Sequence, residues 1–328
     1  MSSPGEIRPS SCRRYFGKWL LRLIGLALFV WVVAALDPQR IFAALISARL
    51  TPLIWALFLG IPLLMLKSWR WNILLQGHGI LLSYREAVTL YGIGQFVGFL
   101  TPAQAGEFVK VRFLKQHGYD VSRSSLTIIL DRLLDLFALA MGSLAGVWII
   151  LPLIDRRVIW VVAFAGVAVV ILLVWLQLDS ERIVVWISRC RKLIDSAALP
   201  APTVANLSGG NILAETLVLT LVAYVFIYVR VYLLAIALSL PIGIIVLGAM
   251  FSFTSLVGLL PVSIAGIGMR ELIFVQAFAL LGLPQDKAVA LSLLILLLQV
   301  EHSLIGLGFW LARPTPQKMQ TAWEGTIH

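Results

Sequence analysis

The chain has 328 residues, of which 60% are hydrophobic and only 13% charged, with a net charge of +10 and a mean hydropathy of +0.96. A soluble domain carries about a quarter charged residues, and a chain this apolar cannot clothe its surface in polar groups. Composition therefore excludes an ordinary soluble enzyme. The positive charge lies in short segments between apolar runs, the pattern of cytoplasmic loops rather than of a nucleic-acid binder.

Apolar runs fall at 17–36, 51–66, 87–101, 124–152, 158–178, 211–240, 244–261 and 288–312. Runs of about 20 apolar residues fit helices crossing ~30 Å of hydrocarbon, and the alternation of a membrane barrel is absent. The run at 17–36 is too long for a signal-peptide core and reads as a retained span. The polar interval 179–210, with Arg182, Arg189, Arg191 and Lys192, suits a surface helix and linker. Cys12 and Cys190 fit no metal-ligand spacing and fall on one face, so no disulfide is expected. The organisation is a tail at 1–16, one transmembrane domain at 17–312 and a tail at 313–328.

Counting lysine and arginine decides the topology. If every run spans, basic residues divide almost evenly between the two faces. If 87–118 dips in and returns, and 244–283 does the same from the opposite face, the basic residues of 8–18, 67–85, 110–123, 182–192 and 313–318 all lie inside. Arg40, Arg49, Arg156, Arg157 and Lys287 stay outside, with Arg270 in the second dip. The second arrangement obeys the positive-inside rule. It predicts an all-α polytopic helical bundle of about six spans plus two re-entrant broken-helix elements, multi-pass in the inner (cytoplasmic) membrane, with both termini cytoplasmic.

The two dips resemble each other. Val97-Gly-Phe-Leu is followed by Pro102, then Ala105-Gly106-Glu107; Val257-Gly-Leu-Leu is followed by Pro261, then Ala265-Gly266, Gly268 and Arg270-Glu271. Gly118 and Gly282 then precede long apolar helices. Inverted repeats with interrupted helices are a recurrent transporter plan, with substrate bound where the helices break. Pro102 and Pro261 each remove a backbone donor, while Gly106, Gly266 and Gly268 permit tight turns. The helices that restart there present free N–H groups suited to an anion such as a lipid phosphate. The alternative is that these residues break the helices for packing alone.

Several charges sit beside the breaks. Glu107 and Lys110, three apart, share a helix face and can pair; Lys110 or Arg112 can instead hold a headgroup phosphate or snorkel to the interface. Arg270-Glu271 lies between apolar segments, where charge serves a pathway or a partner, with Asp131 or Asp135 as compensating candidates. Asp131 and Asp135 are four apart on one face with Arg132 between them. They suit ion pairing, a polar cavity lining or acid/base chemistry. Arg230 is mid-run, and Glu301-His302, near Gln299, is a candidate proton-coupling pair or an interhelical contact. No nucleotide loop, zinc spacing or Ser-His-Asp arrangement is present, so neither a metal nor a cofactor is expected. Trp19, Trp31, Trp69, Trp71, Trp148, Trp160 and Trp310 read as an interface belt.

At these residues the chain resembles the lysylphosphatidylglycerol synthase transmembrane-region family, the flippase domain of the phosphatidylglycerol lysyltransferases. The resemblance covers roughly 15–312. It rests on Pro102-x-x-x-Gly106-Glu107-x-x-Lys110, on Asp131-Arg132-x-x-Asp135, and on Gly266-x-Gly268-x-Arg270-Glu271 followed by Gly282-x-Pro284. The family more often has Arg at the place of Lys110 and a basic residue near Leu296. The resemblance implies a protein that moves a lipid or lipid-linked headgroup between leaflets. Members that make aminoacyl lipids carry a further soluble domain; this chain ends at His328, so no lysyl transfer is expected of it. The expected partners are membrane lipids with an anionic or lipid-linked headgroup, a second copy in a homodimer, or a separate lipid-modifying enzyme, and no nucleic acid. The alternatives are an integral-membrane enzyme acting on lipids or glycolipids, and a non-transporting subunit of a separate synthase.

Overall fold

A computed structural model describes residues 30–34, 36, 38–150, 210–258 and 267–312. Most of the expected first span, the run at 158–178, the basic interval after it, both tails, both cysteines, Pro261 and Gly266 lie outside the described residues. The described elements are helices: α1 (Pro38–Ile46), α2 (Leu50–Phe58), α3 (Gly60–Gly77), α4 (Tyr84–Phe99), a 3-10 segment (Pro102–Phe108), α5 (Val109–Gln116), α6 (Val121–Ile150), α7 (Gly210–Ala237), α8 (Ile244–Gly258), α9 (Met269–Leu280) and α10 (Gln285–Ala312). Leu50–Gly77, Asn211–Ala237 and Gln285–Ala312 are each long and apolar enough to cross a membrane. Their outward residues are large and apolar, as with Ile54, Trp55 and Phe58 on α2 and Leu221 and Val225 on α7. Lipid replaces water as the solvent at such a surface.

The contacts define an inverted repeat. The antiparallel pairing of α2–α3 with α7 is fixed at both ends. The Arg49 N–H donates to the Ala237 carbonyl at 2.9 Å, and Arg70 Nη1 reaches Thr220 Oγ1 at 3.1 Å. The ends of α3 and α7 therefore lie on opposite faces. Each end closes on a left-handed residue, Gly79 or Ser239, with the same long cap bond: Ile80 N–H to Leu75 O and Leu240 N–H to Ala235 O, both 2.9 Å. Helices α5 and α9 close alike, through Tyr119 N–H to Leu114 O and Leu283 N–H to Phe278 O. The repeat thus extends backwards beyond the two dips: α3–α6 is one unit and α7–α10 the other.

Each unit leaves and returns on a single face. Tyr119 Oη, just ahead of α6, donates to the Leu81 carbonyl, just after α3, at 2.6 Å. Lys287 Nζ, at the start of α10, donates to the Leu238 carbonyl, just after α7, at 3.0 Å. The intervening α4 and α8 have 16 and 15 residues, about 22–24 Å of helix, short of a full crossing. Helix α4 packs on α10 and α8 on α6, so each dip is held by the long helix of the other unit.

Glycine makes the first dip tight. A Cβ on Gly98 would lie 2.9 Å from Glu107 Cγ, and one on Gly94 would lie 2.8 Å from Lys110 Cδ, so α4 and the returning segment run antiparallel in close contact. Gly106 sits against the end of α4, where a Cβ would be 2.6 Å from the Val97 carbonyl carbon. Its N–H donates to Thr101 Oγ1 at 2.6 Å. Small residues at such crossings let backbones approach in the membrane.

Two expectations need correction. Lys67 and Arg70 are not loop charges, because the apolar helix does not stop at residue 66. It continues to Gly77, and Arg70 is fully buried within it. Trp71 is also buried, inside the same helix, its ring tilted against that of Tyr91 with centroids 6.1 Å apart. It does not belong to an interface belt, whereas Trp31, Trp69 and Trp310 are exposed.

Candidate functional site

A cavity of about 500 Å³ lies between the two units. Gly98, Phe99, Thr101 and Gln104 line it from the tip of the first dip, and Thr254, Ser255 and Gly258 from α8 of the second. The long helices supply Arg132 and Asp135 from α6 and Gln299 and His302 from α10. Lys67, Gln95, Arg230, Arg270 and Ser303 add to its polar wall, and Leu63, Leu136, Ile227 and Phe251 belong to its apolar part. Arg132 is eleven residues into α6, so the polar wall lies about 16 Å along that helix, near the middle of a bilayer.

The first ion network centres on Arg70. Its Nε and Nη2 donate to Asp131 Oδ1 at 3.0 and 2.7 Å. Nη1 donates to Asp135 Oδ1 at 2.9 Å and to Thr220, and Nη2 also reaches the Asp131 carbonyl at 3.3 Å. All five guanidinium protons have acceptors, as a buried arginine requires. Lys67 Nζ joins Asp135 at 3.2 Å from the cavity side. The four-residue spacing of Asp131 and Asp135 does put both on one helix face, and the nearest cations, Arg70 and Lys67, come from α3.

Glu107 and Lys110 pair, at 2.9 Å, with both side chains buried. The Lys110 ammonium lies 4.8 Å from the Trp71 ring centre and 4.7 Å from that of Tyr91, a cation–π cradle. Burial sets Lys110 behind the cavity wall, and Arg112 is exposed on α5 away from the cavity. Arg132 instead reaches the cavity. Its Nη2 lies 2.8 Å from Glu107 Oε1, 3.5 Å from Asp131 and 3.6 Å from Asp135, and Nη1 donates to Gln104 Oε1. Gln104 holds φ 55°, a left-handed conformation costing a non-glycine residue about 1–3 kcal/mol. That cost is borne at the tip of the dip, where the side chain meets Arg132.

The second network is its counterpart. Arg230 precedes Ser239 by the same nine positions that separate Arg70 from Gly79. It too meets the long helix of its own unit. Arg230 Nη2 donates to Glu301, and Nη1 lies 3.3 Å from His302 Nδ1. Nε donates to the Ala56 carbonyl at 2.6 Å, beside the α2–α3 break. Glu301 and His302 are 3.4 Å apart. Arg270 is not compensated by Asp131 or Asp135. Helix α9 folds back on α10, so Arg270 Nε donates to Ser292 Oγ at 2.6 Å and Nη1 to Gln299 Oε1 at 3.3 Å. Its Nη2 lies 3.5 Å from Glu271. Glu271 accepts from Ser292 Oγ at 2.6 Å and from the Gly268 N–H at 2.5 Å. Gly268 has φ 91°, which only glycine adopts freely.

Sequence reading missed Lys67, Arg70, Tyr91 and Gln95 as parts of this centre. The equal spacing of Arg70 and Arg230 ahead of matching turns was the available signal for one of them.

Fold and cavity define a polytopic helical membrane protein whose two inverted, broken-helix units enclose a polar chamber. The chain belongs to the family described as the lysylphosphatidylglycerol synthase TM region, which it matches over residues 19–306. It is similar to the UPF0104 membrane protein of Methanothermobacter thermautotrophicus, 25% identical over 304 residues, covering 83% of this chain and 88% of that protein. It is also 25% identical over 169 residues to a UPF0104 membrane protein of Pyrococcus horikoshii. That match covers 50% of each chain, so this chain spans about half the length of that relative.

Proposed function

We propose that this chain is a lipid translocase: a headgroup crosses the membrane through the central cavity while its acyl tails stay in lipid. The observation that carries this reading is the position of the cavity. It lies where two dips from opposite faces meet, and its wall mixes paired charges, amides and apolar side chains. Substrate sites in inverted-repeat transporters occupy the same kind of place. The family's description supports a lipid role. The enzymatic alternative would use Asp131 and Asp135 as acid and base, but Arg70 holds both and Lys67 adds to one. Both carboxylates are therefore committed to cations of α3.

In this reading the membrane is the inner one and the face bearing Arg85, Arg112, Lys115 and Arg123 is cytoplasmic, against Arg49 and Lys287 on the other. The C-terminal tail then begins inside, and the N-terminal tail joins it there. A lysine at 115 should react with an impermeant amine reagent only from the cytoplasmic side of sealed vesicles, and one at 287 only from outside. Glu301 and His302, tied to Arg230 beside the cavity, are the groups through which a proton gradient would act. Leaflet exchange of acyl-labelled phospholipids in proteoliposomes tests the translocase. Rates above those of protein-free liposomes are expected; equal rates across all lipids would remove the proposal.

A further inference from the structure

The charges around the cavity are unequal in kind. Four cationic side chains line it, Lys67, Arg132, Arg230 and Arg270, against one carboxylate, Asp135. That carboxylate is already shared by Lys67, Arg70 and Arg132. The other carboxylates of the two networks, Glu107, Asp131, Glu271 and Glu301, are absent from the lining. Adding the buried Arg70 and Lys110 gives, among the described residues, six Lys and Arg side chains and five carboxylates, one positive charge in excess.

Two lining residues also hold buried polar atoms with no partner among the described residues: Arg132 Nε and Ser303 Oγ. The Arg132 nitrogen is a donor only, so nothing but an acceptor satisfies it. Three amides on the wall commit one atom each to a charged neighbour. Gln95 donates to Glu107, Gln104 accepts from Arg132 and Gln299 accepts from Arg270. The other amide atom of each remains for neutral hydrogen-bonding groups.

We infer that the cavity selects headgroups carrying one phosphate diester and uncharged hydroxyls, and rejects headgroups that carry an amine. This inference rests on the translocase reading. A phosphate diester brings one negative charge, which cancels the excess, and oxygen acceptors for the Arg132 Nε and Nη donors. Glycerol or sugar hydroxyls match the amides and Ser303. An ammonium group finds four cations and, among the described residues, no uncommitted carboxylate, in a setting where an unpaired charge is costly. A lysyl ester adds two ammonium groups, so the aminoacyl lipid in the family's name is the poorer substrate here.

The test uses the full chain in phosphatidylcholine vesicles with trace acyl-labelled phosphatidylglycerol, phosphatidylethanolamine or lysylphosphatidylglycerol, together with uptake of radiolabelled glycerol 3-phosphate. Phosphatidylglycerol should exchange at least about tenfold faster than either amine-bearing lipid, a difference of about 1.4 kcal/mol. The soluble phosphate should not accumulate. Lysylphosphatidylglycerol or phosphatidylethanolamine moving as fast as phosphatidylglycerol would overturn the selectivity and leave the translocase standing. Glycerol 3-phosphate uptake without lipid exchange would assign the cavity to a soluble ion and overturn it. No lipid moving above protein-free vesicles would remove the translocase itself.

Discussion

Replacing Arg70 with methionine is expected to lower the stability of the folded chain by about 3–5 kcal/mol, read as a fall of roughly 10 °C in apparent melting temperature in detergent. Methionine fits the space of the stem but carries none of the five donors. Among the described residues, Asp131 would keep Tyr91 Oη at 3.4 Å and Arg132 at 3.5 Å, with its own side chain fully buried. Asp135 would retain Lys67. A poorly compensated carboxylate in the interior, not the missing guanidinium as such, is the source of the cost. Adding Asp131→Asn to Arg70→Met should therefore recover part of the loss. Arg70→Lys should not, because a single ammonium cannot hold two carboxylates and a hydroxyl in one plane. An unchanged melting temperature for Arg70→Met would mean that this network does not hold α3 to α6.

Arg132→Gln should have the opposite profile: stability within about 1 kcal/mol of the natural chain, and exchange of phosphatidylglycerol reduced by roughly 30-fold or more. Arg132 is the partly exposed member of its network, with 24% of its side chain accessible. Its carboxylate partners keep other partners without it. Glu107 keeps Lys110 at 2.9 Å and Gln95 at 3.3 Å, and Asp135 keeps Lys67 and Arg70. What disappears is the cation that faces the chamber with an unused Nε donor. Exchange at the natural rate by a folded Arg132→Gln protein would show that the substrate anion is held elsewhere. The two arginines, joined in one network, thus separate a structural role from a binding role.

Much of this architecture is legible in the sequence. Apolar runs locate the helices, and the expected run at 211–240 appears as α7 over Gly210–Ala237. The Pro-Gly segments mark where the first dip turns, and lysine and arginine counts favour dips over crossings. What the sequence conceals is partnership. Lys67 and Arg70 read as the start of a loop because charge ends an apolar run, yet a helix can carry charge inward when carboxylates wait on a neighbour. Lys110 reads as a surface cation because the aromatic cradle of Trp71 and Tyr91 comes from two other helices. Arg270 finds Ser292 and Gln299 rather than the aspartates because α9 folds back onto α10, a choice made by tertiary packing.

The repeat is also deeper than the two motifs suggest. Matching the units by their turns pairs Gly118 with Gly282 and brings Glu107 onto Glu271, and Arg132 onto Leu296. The second unit therefore lacks the cation that the first presents to the chamber. Arg270, reaching in from α9, supplies one there instead.

The account depends on headgroups passing between the two dips, and blocking that space tests it directly. Ser255→Cys, in a chain with Cys12→Ser and Cys190→Ser, places one thiol on the cavity wall. Exchange of acyl-labelled phosphatidylglycerol should be measured in proteoliposomes before and after reaction with a bulky thiol reagent. The account predicts that the labelled protein falls to the rate of protein-free liposomes. Exchange continuing undiminished with the thiol fully modified would contradict it.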